Sequence, residues 1–170
     1  MREIEASDWK AFSHFMTQAS YQRHIAMRLR NEDDVKNFVT RQVARQGDER
    51  RHIFHLAAED KKRSLAVGDG FIILGRGGLA EIGWGVAPDL WGRGYGTELA
   101  RLLTAMAVER LGALAVTCKV MAPNLASRRV AEKVGYLPDG TIATFTTNDG
   151  RQVTVHLFKV TRDHYFEAPY

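Results

Sequence analysis

The chain has 170 residues, 45% hydrophobic and 26% charged, and a formal net charge of +4 with both signs interspersed. That balance excludes a disordered or fibrous protein and fits one domain over residues 1–170, since no proline- or serine-rich linker divides it. No apolar run approaches the roughly 20 residues of a membrane span, the N-terminus lacks a signal-peptide core, and the lone cysteine, Cys118, can form no internal disulfide, so a cytoplasmic protein without membrane attachment is expected.

Residues 8–19 place Trp9, Phe12, Phe15, Met16 and Ala19 on one stripe at helical spacing. In the connector that follows, Arg23, His24, Arg28 and Arg30 form the most basic local patch. Without interleaved aromatic residues or a nucleic-acid motif, this patch reads as solvated surface or as a rim for an anionic ligand, and no nucleic-acid partner is expected. Asn31 then offers an N-cap to a helix with acidic residues in its first turn and Val35, Phe38, Val39 and Val43 on one face.

Residues 52–60 read as a strand, 61–64 as a turn, and 65–75 as a second strand with a glycine-weakened middle. After a turn at Arg76 to Gly78, the strand over residues 79–87 alternates Glu81, Gly83 and Gly85 with Ile82, Trp84 and Val86. The glycine face is nearly empty of side chains. It would admit a ligand closely, and paired glycines favour a bulge that exposes unpaired backbone groups. Glu81 either looks onto that gap or is a surface carboxylate on an edge.

A loop with Gly92, Gly94 and Gly96 opens into a helix from Gly96 to Leu111, whose stripe is Leu99, Leu102, Leu103, Met106 and Ala107 and which Gly112 ends. Glycines let successive N–H groups converge without Cβ obstruction, and the helix N-terminus adds partial positive charge, the layout of a phosphate site. Such glycines also occur for purely conformational reasons. Residues 113–121 form a short apolar strand of the kind buried on both faces, which completes a βαβ unit with a parallel pair and makes Cys118 a small core residue.

Asn124 can cap a helix that stops at Gly135, with Ser127, Val130, Ala131 and Val134 inward and Arg128, Glu132 and Lys133 outward. A helix cap and a first-turn hydroxyl bonded to backbone account for Asn124 and Ser127 in structural terms. Residues 140–160 read as two strands joined by a turn at Asn148 to Gly150. His156, in the second strand, is a reserve acid/base candidate or an ordinary strand histidine. No Cys/His cluster has zinc spacing, and no metal is expected.

The glycine loop lacks the GK[ST] ending of a P-loop, and Thr97 stands where GxGxxG requires its last glycine. No acidic residue lies between Leu111 and Ala131 to hold a ribose, which disfavours a nicotinamide dinucleotide. The blocks AEIGWGVAPDLWGRGYGTELARLLTAMA and NLASRRVAEKVGY, at their spacing, resemble the GNAT superfamily of acetyl-CoA-dependent N-acetyltransferases, most closely the ribosomal-protein-alanine type. The first block is similar to the family's R/Q-x-x-G-x-G/A acetyl-CoA loop, the second to its N-x-x-S-x-x-V-x-E-K-x-G-Y/F run. Trp91 stands where that loop usually begins with Gln or Arg, and Ala131 where many members carry a tyrosine acid.

The resemblance implies a mixed α/β (α+β) fold: a central twisted, mostly antiparallel sheet with one parallel strand pair, flanked by helices. It implies acetyl-CoA as cosubstrate, held by Gly92, Arg93, Gly94, Tyr95, Gly96 and Thr97 at the pyrophosphate. A bulged strand at Trp84, Gly85 and Val86 would hold the pantetheine, Asn124 would contact that arm, and Arg129 would approach the nucleotide phosphates. By the same resemblance Glu81 is the base, acting through water, and Ser127 the acid that serves the leaving thiolate. The acceptor would be shaped by the connector from Ser20 to Arg30 and by the C-terminal hairpin. A protein N-terminal amine leads, with a small-molecule amine behind it; a non-catalytic acyl-CoA-binding domain is the other class. Either a monomer or a homodimer is compatible.

Overall fold

Consecutive apolar-alternating segments joined by tight turns can bury their faces only by lying side by side, and most of this chain does so. The computed structural model describes residues 1–25, 27–146, 150 and 152–167. The first half runs β1 (Arg2–Glu3), α1 (Trp9–Met16), α2 (Ala19–Gln22), α3 (Glu32–Arg45), β2 (Ile53–Asp60), β3 (Leu65–Leu74) and β4 (Leu79–Val86). The second runs α4 (Tyr95–Ala105), β5 (Ala115–Met121), α5 (Leu125–Lys133), β6 (Leu137–Thr146), β7 (Gln152–Thr161) and α6 (Arg162–Glu167). The sheet order is β1-β2-β3-β4-β5-β7-β6. β4 and β5 pair in parallel and the other neighbours antiparallel, in agreement with the expected mixed sheet.

The predicted elements form, with four differences, one of them the short helix α6 that follows the last segment read. The first helix is shorter than its apolar stripe: it stops at Met16, and the chain restarts as α2 after Gln18 takes an extended conformation. Gln22 Nε2 donates to Met16 O at 2.7 Å and so satisfies a carbonyl at the broken end. The helix after the glycine loop changes to a π turn over Met106–Arg110 before Gly112 reverses the chain at φ +71°. The third difference is β1, a two-residue strand too short to leave a periodic signal. It is held by Arg2, whose guanidinium forks onto the buried Asp8 at 2.7 and 2.8 Å and also pairs with Glu59. The turn expected at Asn148 to Gly150 falls largely outside the described residues.

Helices cover both faces of the sheet. Phe12, Phe15 and Phe38 form an aromatic cluster, and the Phe38 ring meets His55 of β2 edge-on at 4.8 Å between centroids. On the opposite face Leu103 of α4 packs so tightly over β3 that a Cβ on Gly70 would lie 2.7 Å from it. α5 packs beside α4, with Ala131 and Val134 buried.

Cys118 is buried in this core, and burial, with the charge of Glu81 adding to it, pushes its thiol up to about 12. A raised thiol pKa means that the unfolded chain loses the proton first. Stability is therefore unaffected by this group below about pH 9 and falls as the pH climbs from about 9 towards 12. Native protein at pH 8 should resist iodoacetamide and become fully labelled only in denaturant. Rapid labelling of the native form would refute the burial.

Candidate functional site

The site begins where two parallel strands part. β4 pairs with β5 only over Leu79–Ile82 against Ala115–Cys118, yet β4 runs on to Val86 and β5 to Met121. Past that fork, β4 from Gly83 to Val86 has no β5 partner: Gly83 and Gly85 stay on the β3 ladder, and the main-chain groups of Trp84 and Val86 face the gap between the strands. The expected cause was a bulge in β4. Instead the register of β4 against β3 is unbroken from Ala80 to Val86, and divergence from β5 frees the backbone.

Nor is the glycine face of β4 empty. A Cβ on Gly83 would lie 2.3 Å from the Phe71 ring, and one on Gly85 would lie 2.1 Å from Tyr21 Oη and 2.8 Å from Asp69 Oδ1. The two glycines let neighbouring side chains press onto the strand. Trp84 and Val86 point to the other face, where Trp84 is half-buried against the core and Val86 is buried.

Beyond β4 the chain makes a 3₁₀ turn over Pro88–Leu90 and enters the glycine loop. Trp91 exposes 53% of its surface, and its indole N–H donates to Val86 O at 2.8 Å, clasping the loop to the end of the strand. That contact explains the residue that departs from the usual loop pattern. Gly92 and Gly94 have φ of +78° and +90° and open space around them, so their role is conformational freedom with unobstructed access. Gly94 caps α4: its carbonyl accepts from the amides of Thr97 and Glu98 at 3.0 and 3.1 Å. The first two amides of the helix, those of Tyr95 and Gly96, have no intrahelical acceptor.

Arg93 is exposed within the loop. Gly96 lies 3.5 Å, by its would-be Cβ, from Val130 of α5, so α5 abuts the start of α4; Arg129, next to Val130 in the chain, is exposed. The Tyr95 hydroxyl turns away and donates to Asp60 Oδ2 at 3.2 Å, tying α4 to the end of β2. The Lys62 amide and this hydroxyl hold the Asp60 carboxyl below the usual carboxylate range.

Glu81 stands at the fork. It lies one residue before the last β4 pair, and its half-buried carboxylate accepts from Lys119 Nζ, one residue past the last β5 pair, at 2.7 Å. Asn124 caps α5, accepting the Ser127 amide on Oδ1 at 3.1 Å, which leaves its Nδ2 donors for another partner. Ser127 is half-buried. Glu81 lies on the Tyr21 side of the sheet and α5 on the other, so the proposed base and acid flank the fork from opposite sides. His156 does not join Glu81: it is opposite Val120, whereas Glu81 is opposite Thr117, and these β5 positions point to opposite faces. Its imidazole Nδ1 lies 3.4 Å from Thr141 Oγ1.

The Acetyltransferase (GNAT) domain family matches residues 1–137. The chain belongs to the GNAT family. It is therefore an acetyl-CoA-dependent acetyltransferase, as the two motif blocks implied. It is 24% identical to YnaD, an uncharacterized N-acetyltransferase of Bacillus subtilis (strain 168), over 82% of this chain and 79% of that one. The fold matches spermidine N-acetyltransferase from Vibrio cholerae, solved with CoA and spermine, with a TM-score of 0.82 at 16% identity over 97% and 96% of the chains. It also matches the ribosomal-protein-S5-alanine acetyltransferase from Vibrio fischeri, with a TM-score of 0.81 at 14% identity over 99% and 94%. Among the described residues no group of three or more His, Cys, Asp and Glu could hold a metal ion. No described helix is long and apolar enough to cross a membrane.

The fork, the open glycine loop and the α4 N-terminus suit the extended, anionic shape of acetyl-CoA. The signal that sequence reading missed is the Tyr21–Asp69–His55 cluster beside Gly85. Its members lie on three separated segments, and only the alternation in β3 that puts Asp69 on the same face as Phe71 pointed towards it.

Proposed function

We propose that this GNAT enzyme transfers the acetyl group of acetyl-CoA to a protein N-terminal α-amine. Bound acetyl-CoA supplies the activated acetyl thioester, and the residues of the chain do the rest. Loop amides from Gly92 to Gly96, with Arg93 and Arg129, balance the pyrophosphate charge, and Thr97, its amide bound to Gly94 O, closes the first turn behind them. The β4 main chain that turns away from β3, Trp84 on both its groups and Val86 on its N–H, and the Asn124 Nδ2 donors hold the pantetheine arm, with Gly85 between them leaving the strand surface low. The Glu81 carboxylate accepts the ammonium proton through water, and the Ser127 hydroxyl offers a proton on the far side of the fork.

The observation that favours a protein N-terminus over a polyamine is the charge of the connector. Arg23 and Arg28 are exposed between α2 and α3, next to the side of the sheet where Glu81 stands, while Arg30, also exposed, is paired with Asp34 at 3.0 Å. A polycationic acceptor meets like charge there, whereas a peptide brings one ammonium group and a chain that can carry acidic residues.

An acceptor panel tests the reading: an alanine-terminated peptide, spermidine and free amino acids, each with acetyl-CoA, followed by thiol release and product mass. The peptide should give the highest kcat/KM. A clear preference for spermidine would move the acceptor to polyamines, and calorimetric acetyl-CoA binding with no product would favour a binding domain without turnover.

A further inference from the structure

Tyr21 of α2 donates its hydroxyl proton to Asp69 Oδ1, and His55 Nε2 lies 2.7 Å from Asp69 Oδ2. An ionised carboxylate only accepts, so both neighbours donate to it. The cluster is buried: Asp69 is 6% and Tyr21 8% exposed, and burial, with the Asp69 charge adding to it, raises the Tyr21 phenol well above its ordinary value and keeps it neutral. Phe15 and Phe38 pack against its Tyr21 and His55 rings, at 5.1 and 4.8 Å between centroids.

Two features make this more than a structural tie. The phenol oxygen lies within 2.1 Å of where a Cβ of Gly85 would be, on the part of β4 that β5 leaves unpaired. Moreover, its only proton is committed to Asp69, so the oxygen can act towards the fork only as an acceptor. A buried acceptor gains most from a donor that arrives with a ligand.

We propose that Tyr21 Oη accepts an N–H of the acceptor amine, with Asp69 and His55 as the positioning residues that keep its own proton turned away. A neutral primary amine has two N–H groups and one lone pair. Anchoring one N–H on Tyr21 directs the lone pair to the fork and lets the phenol oxygen share the positive charge that grows on nitrogen as it reacts. The inference rests on the amine-transfer reading and adds the group that orients the nucleophile.

Tyr21→Phe keeps the ring and its contact with Phe15 while removing the oxygen. With the alanine-terminated peptide and spermidine as acceptors, it should raise the acceptor KM about tenfold, the effect of one lost hydrogen bond. The calorimetric Kd for acetyl-CoA should stay within about twofold. Calorimetric binding of the same amines to CoA-loaded protein should weaken by the same factor as KM. Asp69→Asn should repeat the loss, because an amide N–H can donate to the phenol oxygen and occupy its lone pair. An unchanged acceptor KM in Tyr21→Phe, or equal losses of amine and acetyl-CoA binding in both variants, would overturn the inference. Wild-type protein that binds acetyl-CoA but acetylates neither amine nor a free amino acid would defeat the transfer reading first, and this inference with it.

Discussion

Alanine at Gly85 is expected to destabilise the fold by about 2–4 kcal/mol and to abolish most acetyl transfer. The added methyl would sit 2.1 Å from Tyr21 Oη and 2.8 Å from Asp69 Oδ1, well inside contact distance. Retreat of the phenol would break its bond to a buried carboxylate, and retreat of β4 would break the ladder that pairs Gly85 with Asp69. Either response costs more than a methyl group gains by burial. The same movement would shift the unpaired backbone at the fork, so the loss of activity should exceed the loss of folded protein. Gly47→Ala is the control, since nothing lies within 4 Å of a Cβ there. Urea denaturation of both variants, with transfer assayed at saturating acetyl-CoA, measures the difference, and equal stabilities would mean that the cluster yields freely.

Replacement of Glu81 by glutamine should lower kcat by about 10²–10⁴ while leaving acetyl-CoA affinity nearly unchanged. Glutamine keeps the size of the side chain but cannot take a proton. Lys119, which now holds Oε2 at 2.7 Å, would lose its charged partner without disturbing the glycine loop. The pH profile separates a base from a structural carboxylate. If Glu81 removes the proton, the variant should regain rate as the pH rises and the acceptor deprotonates unaided. A structural role would leave the deficit constant across pH. Full turnover at saturating acetyl-CoA and amine would remove Glu81 from the mechanism.

Much of this was legible in one dimension because the determining interactions are local. Asn31 and Asn124 cap their helices three residues ahead of the amides they accept, a distance any reader of the sequence can count. The glycine loop could be read in the same way, since positive φ at Gly92 and Gly94 is a property of those residues and their nearest neighbours. Spacing also separated the loop from nucleotide motifs of other kinds, and alternation assigned Glu81 and both glycines to one face of β4.

The errors arose where side chains from distant segments meet. The glycine face looked vacant because Phe71, Asp69 and Tyr21, which fill it, belong to β3 and α2. The exposed backbone looked like a bulge because glycine is the only local cause of one. The actual cause, the parting of β4 from β5 beyond Ile82, is a relation between two strands 36 residues apart at that register. Pairing with Val120 puts His156 on the face opposite Glu81, a relation that no local pattern gives.

The sequence by itself determined most of the elements, the helix caps, the glycine loop and the family, because each depends on short-range conformational preference or on a motif within one segment. Only the tertiary structure decided how the fork opens, what Trp91 does and which side chains fill the glycine face of β4. Those depend on register and long-range packing, where a side chain's partner is set by the path of the whole chain rather than by its neighbours.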